Sequence, residues 1–216
     1  MTGGRVTWPA LRRGLVGILR GVRPEEAVDV ATAIYEAGIE AVEVPLNSPD
    51  PFRSIERLVG ALPDTALIGA GTVLDATDVD RLAAAGGRLL VSPNVEAAVL
   101  QRAAEQGLIT MPGVFTPSEA LLAERLGASA LKFFPANVLG PDGIAAVRAV
   151  LPATTLIGAV GGVSDRDFAA FAKVGVRLFG LGSSLYKPAM TAEEAGSRAS
   201  AACAAWDRAF AETHHD

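Results

Sequence analysis

Histidine is almost absent from this chain. His214 and His215, near the end of the 216 residues, are the only two, and Cys203 is the single cysteine. A body without histidine has no Ser-His or Cys-His nucleophile system. One thiol makes no intramolecular disulfide and no thiolate zinc cluster, so Cys203, in an alanine-rich stretch, is expected to be a buried structural residue. The two histidines sit where chains fray, which disfavours a metal site there. Aromatic residues are only 6% and charged residues 20%, against 50% hydrophobic residues, which is the balance of a globular protein. Positive charge is also in short supply. The net charge is −5, with a pI near 5.1, arguing against nucleic acid or an anionic membrane as the main partner. An anionic ligand would have to be caught by a local site.

Long apolar stretches are missing too. The opening "MTGGRVTWPALRRGLVGIL" holds no continuous apolar core of a secretory signal, and no run approaches a membrane span. A cytoplasmic location is therefore expected. No low-complexity segment, linker or composition shift divides the chain, so residues 1–216 are expected to form one domain with a short lead-in and a C-terminal helix.

Short apolar runs recur instead: "LVGIL" (15–19), "AVEV" (41–44), "ALIGA" (66–70), "LLVS" (89–92), "LITM" (108–111), "ALKF" (130–133), "LIGAV" (156–160) and "LFGL" (178–181). Their starts are 19 to 26 residues apart. Each has strand length, and their continuous apolar character suits strands covered on both faces. Helical patterns lie between them. "RPEEAVDVATAIYEAG" places Pro24 where a first turn tolerates it and Gly38 where a helix ends, and "TPSEALLAERLG" and "GPDGIAAVRAVLP" behave alike. "TAEEAGSRASAACAAWDRAFAE" reads as the last helix, with the chain beyond about residue 211 loose. Eight strand–helix units in about 200 residues predict a (β/α)8 barrel. A doubly wound open sheet is the alternative.

In a barrel, chemistry gathers at the C-terminal ends of the strands. Polar residues at those ends are Arg20, Glu43, Thr72, Ser92-Pro93-Asn94, Lys132, Gly161-Gly162 and Gly182-Ser183-Ser184. Only three lysines exist, Lys132, Lys173 and Lys187, and Lys132 stands inside an apolar strand. Side chains alternate across a strand. An inward Lys132 leaves Leu131 and Phe133 for the helices, and an inward Glu43 leaves Val42 and Val44. Arg20 and Thr72 are expected inward on the same rule. Lys132 and Glu43 could form a buried structural salt bridge. They could equally perform covalent catalysis, since a desolvated lysine beside another cation such as Arg20 holds a neutral, nucleophilic amine. The glycines after the last two strands expose backbone N–H groups of the kind that bind phosphate near a helix N-terminus. "GAGTVL" and "GLGSSL" lack the third glycine of a dinucleotide fingerprint, and no Walker A sequence is present.

Taken in order, "GILRG", "VEVPLNSP", "IGAGTVL", "SPN", "PGVFTPSEA", "LKFFPA", "AVGGV" and "GLGSSLY" resemble the pyruvate-dependent class I aldolases that cleave 2-keto-3-deoxy-6-phospho-sugar acids. The resemblance runs from about residue 15 to about residue 187. "VPLNSP", "AVGGV" and "GSSLY" look like the galactonate branch of that family, whereas "PGVFTPSEA" is more like the gluconate branch, so both epimers stay open. The resemblance implies that Lys132 is the Schiff-base lysine and Glu43 the general acid/base. It places Arg20 and Thr72 at the substrate's carboxylate or hydroxyls, and Gly161, Gly162, Gly182 and Ser183 at its phosphate. Asn47 and Val160 fall near the C4 hydroxyl. It implies products pyruvate and glyceraldehyde 3-phosphate, a homotrimer, and no metal or organic cofactor, because the lysine itself is the electron sink. Cleavage of 4-hydroxy-2-oxoglutarate is the alternative inside the family. A phosphosugar isomerase or decarboxylase, or a phospho-ligand-binding protein, are the alternatives outside it.

Overall fold

Pro112, just past the fifth apolar run, separates the strand formed by that run from an additional two-residue strand, and between them the two close the sheet. In the computed structural model, which describes residues 5–211, the order is β1 (Leu15–Ile18), α1 (Pro24–Glu36), β2 (Ala41–Pro45), α2 (Pro51–Ala61), β3 (Leu67–Gly71), α3 (Ala76–Ala84), β4 (Leu89–Val91), α4 (Ala97–Glu105), β5 (Ile109–Met111), β6 (Gly113–Val114), α5 (Pro117–Arg125), β7 (Leu131–Phe133), α6 (Ala136–Arg148), β8 (Ile157–Val160), α7 (Phe168–Lys173), β9 (Leu178–Leu181) and α8 (Ala192–Ala211). The strand order is β5-β4-β3-β2-β1-β9-β8-β7-β6, every pairing parallel. The two ends of that order, β5 and β6, are joined through Pro112, which has no N–H to give to a ladder. The sheet is therefore a barrel and not the open doubly wound alternative.

The alternation expected of the strands sorts the apolar residues into two layers. Val42, Val44, Ile68, Ala70, Leu131, Phe133, Ala159 and Phe179 belong to the core between sheet and helices. Val16, Ile18, Leu67, Leu89, Val91, Met111, Val160 and Leu178 form the separate core inside the barrel. Burying both strand faces is what makes each run uniformly apolar.

The helices start as their sequences suggest. At α5, Pro117 occupies the first turn, and the Thr116 hydroxyl accepts from the Glu119 N–H while the Glu119 carboxylate accepts from the Thr116 N–H. Thr191 and Glu194 repeat the exchange at the start of α8. α6 begins four residues before the expected "GPDG", with one turn ahead of a kink at Gly140, whose φ of 68° only glycine adopts freely. Cys203 is buried in α8. His214 and His215 lie outside the described residues, as does the expected loose tail. Among the described residues, no helix is long and apolar enough to cross a membrane.

Candidate active site

β7 carries Lys132 between two glycines, Gly113 on β6 and Gly158 on β8. Neither glycine could carry a side chain, because the Pro93 backbone packs on Gly113 and Met111 and Leu178 pack on Gly158. Phe134, two residues on and so on the same face, sets its ring centroid 4.7 Å from Nζ. Lys132 is only 6% exposed, and it opens into a cavity of about 600 Å³ at the C-terminal ends of the strands.

Glu43 sits lower in the same interior. Its register partners are Ile18 on β1 and Gly69 on β3, it is 2% exposed, and among the described residues its Oε2 has no hydrogen-bond partner. Burial pushes its carboxyl up to about 7, partly offset by the charges of Lys132 and Arg20. Burial likewise pushes Lys132 down from the ordinary lysine range; Glu43 opposes this and Arg20 reinforces it. Among the described residues no ion pair joins Lys132 to Glu43. The pair feels each other's charge without forming the structural salt bridge that the sequence left open. Desolvation, more than Arg20, is what favours a neutral amine.

Arg20, Thr72, Val160, Gly161, Gly162, Gly182 and Ser183 all line the cavity with Lys132. Thr72 reaches it by a different route from the one its strand suggested. Inward positions on β3 are Leu67, Gly69 and Gly71, so plain alternation would send Thr72 outward with Ile68 and Ala70. A left-handed backbone, φ 57°, turns it back to the mouth. That conformation is costly for a β-branched residue and is found where surroundings impose it, often at functional sites.

Asn47 does not line the cavity. Its side-chain oxygen accepts a 2.6 Å hydrogen bond from Arg20 Nη1. Its place is therefore behind the guanidinium. Glu43 is also absent from the lining, sunk beneath it.

At the other end of the cavity, Gly161 and Gly162 take φ values of 92° and 68°. β8 and β9 run into turns, not directly into helices as expected for the phosphate end; Leu185 and Tyr186 N–H both close on the Gly182 carbonyl. Among the described residues, the backbone N–H groups of Gly162, Val163, Ser183 and Ser184 donate to nothing. The Ser184 hydroxyl donates to the Val163 carbonyl at 3.1 Å, tying the two turns together. Free N–H groups gathered on two neighbouring turns, the first with positive φ at Gly161 and Gly162, can form an anion-binding concavity. Ser184, one of the polar residues expected at the strand ends, lines the cavity, as do Phe134 and Ser164, which were not singled out from sequence. For Phe134 the signal was there, two residues from Lys132. Among the described residues, no group of three or more His, Cys, Asp or Glu is placed to hold a metal ion.

Three comparisons bear on this site. The family model "KDPG and KHG aldolase" matches residues 11–198. A Rhizobium meliloti (strain 1021) protein named probable 2-dehydro-3-deoxy-6-phosphogalactonate aldolase is 59% identical over 206 residues, 95% of this chain and 97% of that one. The 2-dehydro-3-deoxy-6-phosphogalactonate aldolase of Escherichia coli (strain K12) is 44% identical over 187 residues, 87% of this chain and 91% of that one. A solved structure, "Native KDPGal structure", superposes with a TM-score of 0.92 at 42% identity, covering 95% of this chain and 99% of that one.

Proposed function

Since the chain belongs to the KDPG and KHG aldolase family, we propose that it cleaves 2-dehydro-3-deoxy-6-phosphogalactonate to pyruvate and glyceraldehyde 3-phosphate through an imine on Lys132. It is a pyruvate-dependent carbon–carbon lyase. The names of its relatives support the substrate, and one observation carries the mechanism: a buried amine with lowered pKa and a buried carboxyl with raised pKa share the barrel interior without pairing.

The neutral amine of Lys132 attacks the C2 ketone, and loss of water gives an iminium. The iminium draws electrons from C3. Glu43, acting through a water, takes the proton of the C4 hydroxyl; the C3–C4 bond breaks and its electrons enter the C2–C3 enamine. Glyceraldehyde 3-phosphate leaves with C4 as its aldehyde carbon. The enamine takes a proton at C3, and hydrolysis of the iminium releases pyruvate and restores the amine. Lysine is the electron sink, so this sequence calls on no cofactor. Arg20, backed by Asn47, faces the carboxylate together with Thr72, and the four free N–H groups of the two turns receive the phosphate.

Pyruvate with borohydride tests the reading. Peptide mapping is expected to find a reduced adduct on Lys132. Label on Lys173 or Lys187, or none, would remove the imine mechanism. The reading includes a homotrimer, as the family resemblance suggested, acting in the cytoplasm, as the lack of a signal-like or membrane-spanning run suggested; sedimentation equilibrium and cell fractionation test those two parts.

A further inference from the structure

A phosphate dianion held only by backbone N–H groups, in a protein of net charge −5, calls for a cation nearby. The cations lining the cavity are Arg20 and Lys132, and neither belongs to the two turns that carry the free N–H groups. A third cation, the guanidinium of Arg198, stands just behind those turns. Arg198, on the first half of α8, lines a small cleft of about 80 Å³ with Asp165, Leu181, Ser184, Leu185 and Ala202. Its Nη1 donates to the Ser183 carbonyl at 3.4 Å. Among the described residues Arg198 forms no ion pair, Asp165 included, so its charge is not neutralised within the protein.

Resting on the phosphate reading above, we propose that Arg198 is the positioning residue of the phosphate site: it draws the Ser183 carbonyl into the cleft behind the turn, and so aims the Ser184 N–H into the cavity. The reason is the rigidity of one peptide unit. In a trans peptide the C=O and the following N–H point to opposite sides of the chain, and the bond between Ser183 and Ser184 is trans. Ser184 borders both spaces, the cavity and the cleft. A carbonyl fixed toward Arg198 leaves the N–H facing the other way. The hydrogen bond is charge-assisted but long, at 3.4 Å on an exposed side chain. It also places an un-neutralised positive charge one peptide unit behind the anion.

Arg198→Gln keeps much of the side chain's length and removes the charge; Arg198→Lys keeps the charge without the planar fork. In Arg198→Gln, KM for the phosphorylated substrate and the inhibition constant of inorganic phosphate are both expected to rise roughly tenfold, the scale of one bond to a charged group. kcat and the rate of pyruvate labelling of Lys132 are expected to hold, and Arg198→Lys is expected to recover part of the phosphate affinity. Unchanged KM and phosphate inhibition would overturn the inference. So would a parallel loss of pyruvate labelling, which would mark Arg198 as merely structural. A wild-type enzyme indifferent to inorganic phosphate would overturn the phosphate reading itself, an outcome visible before any variant is made.

Discussion

Glu43 folds its carboxylate over the α-carbon of Gly71, so closely that a Cβ there would collide with Oε1, Oε2 and Cδ of Glu43. Gly71 thus sets the position of the proposed acid/base. The carboxylate is enclosed, and it could yield to a methyl group only by moving away from its place beside Lys132. Gly71→Ala is expected to lower kcat by roughly 10²-fold, the usual scale for a misplaced general acid/base, while pyruvate still labels Lys132. A Gly71→Ala enzyme with full turnover would show that Glu43 need not be where it stands.

The charge coupling between Glu43 and Lys132 makes a pH prediction. Cleavage requires ionised Glu43, so kcat of the wild type is expected to fall as pH drops through about 7, where burial places that carboxyl. Imine formation requires neutral Lys132, so pyruvate labelling rises with pH. The Glu43 charge raises the Lys132 pKa, against the larger effect of burial. In Glu43→Gln that support is gone, the amine loses its proton more readily, and the labelling profile is expected to shift to lower pH. Borohydride trapping across pH in both proteins measures it. A shift to higher pH, or none, would mean that the two groups do not sense each other.

The strand pattern was legible because both faces of every strand are covered, leaving uniform apolar runs bounded by turns. So was the convergence of Arg20 and Lys132 with the glycine turns, because strand ends in a barrel face one mouth. Three features were not legible. Alternation placed Thr72 inward by the wrong route; its left-handed φ is a tertiary imposition that no local pattern announces. The hydrogen bond from Arg20 to Asn47, a pairing 27 residues apart fixed by adjacent strands, has no local signal either. Arg198 was invisible for a similar reason. Nothing in the α8 sequence says that its side chain meets the Ser183 carbonyl.

Chelation offers a separate check. The electron sink proposed here is an amine, and the described residues contain no ready ligand cluster for a metal ion. EDTA is expected to leave kcat and KM unchanged. Activity lost to EDTA and restored by a divalent ion would point to a metal-dependent aldolase and contradict the role of Lys132.

The choice between C4 epimers can be assigned to one position. The galacto and gluco substrates differ at the carbon whose hydroxyl gives its proton toward Glu43. Val160 ends β8 facing into the barrel, borders the cavity, and packs so near Gly180 that a Cβ there would lie 2.7 Å from its Cγ2. It offers that hydroxyl no hydrogen bond. Asn47 is hydrogen-bonded to Arg20, and on the reading proposed above it would act on the carboxylate end common to both epimers. Two substitutions should therefore separate. Asn47→Ala loosens Arg20 and is expected to raise KM for both epimers alike. Val160→Thr introduces a hydroxyl beside C4 and is expected to move the ratio of kcat/KM toward the gluco substrate. One neutral hydrogen bond contributes about 0.5–1.5 kcal/mol net, so the shift should not exceed roughly tenfold. The wild type is expected to prefer the galacto substrate while retaining measurable activity on the other. Measuring kcat/KM for both epimers on all three proteins decides the matter. If Asn47→Ala changed the ratio and Val160→Thr did not, the specificity would lie at the end of β2 and the assignment to Val160 would be wrong.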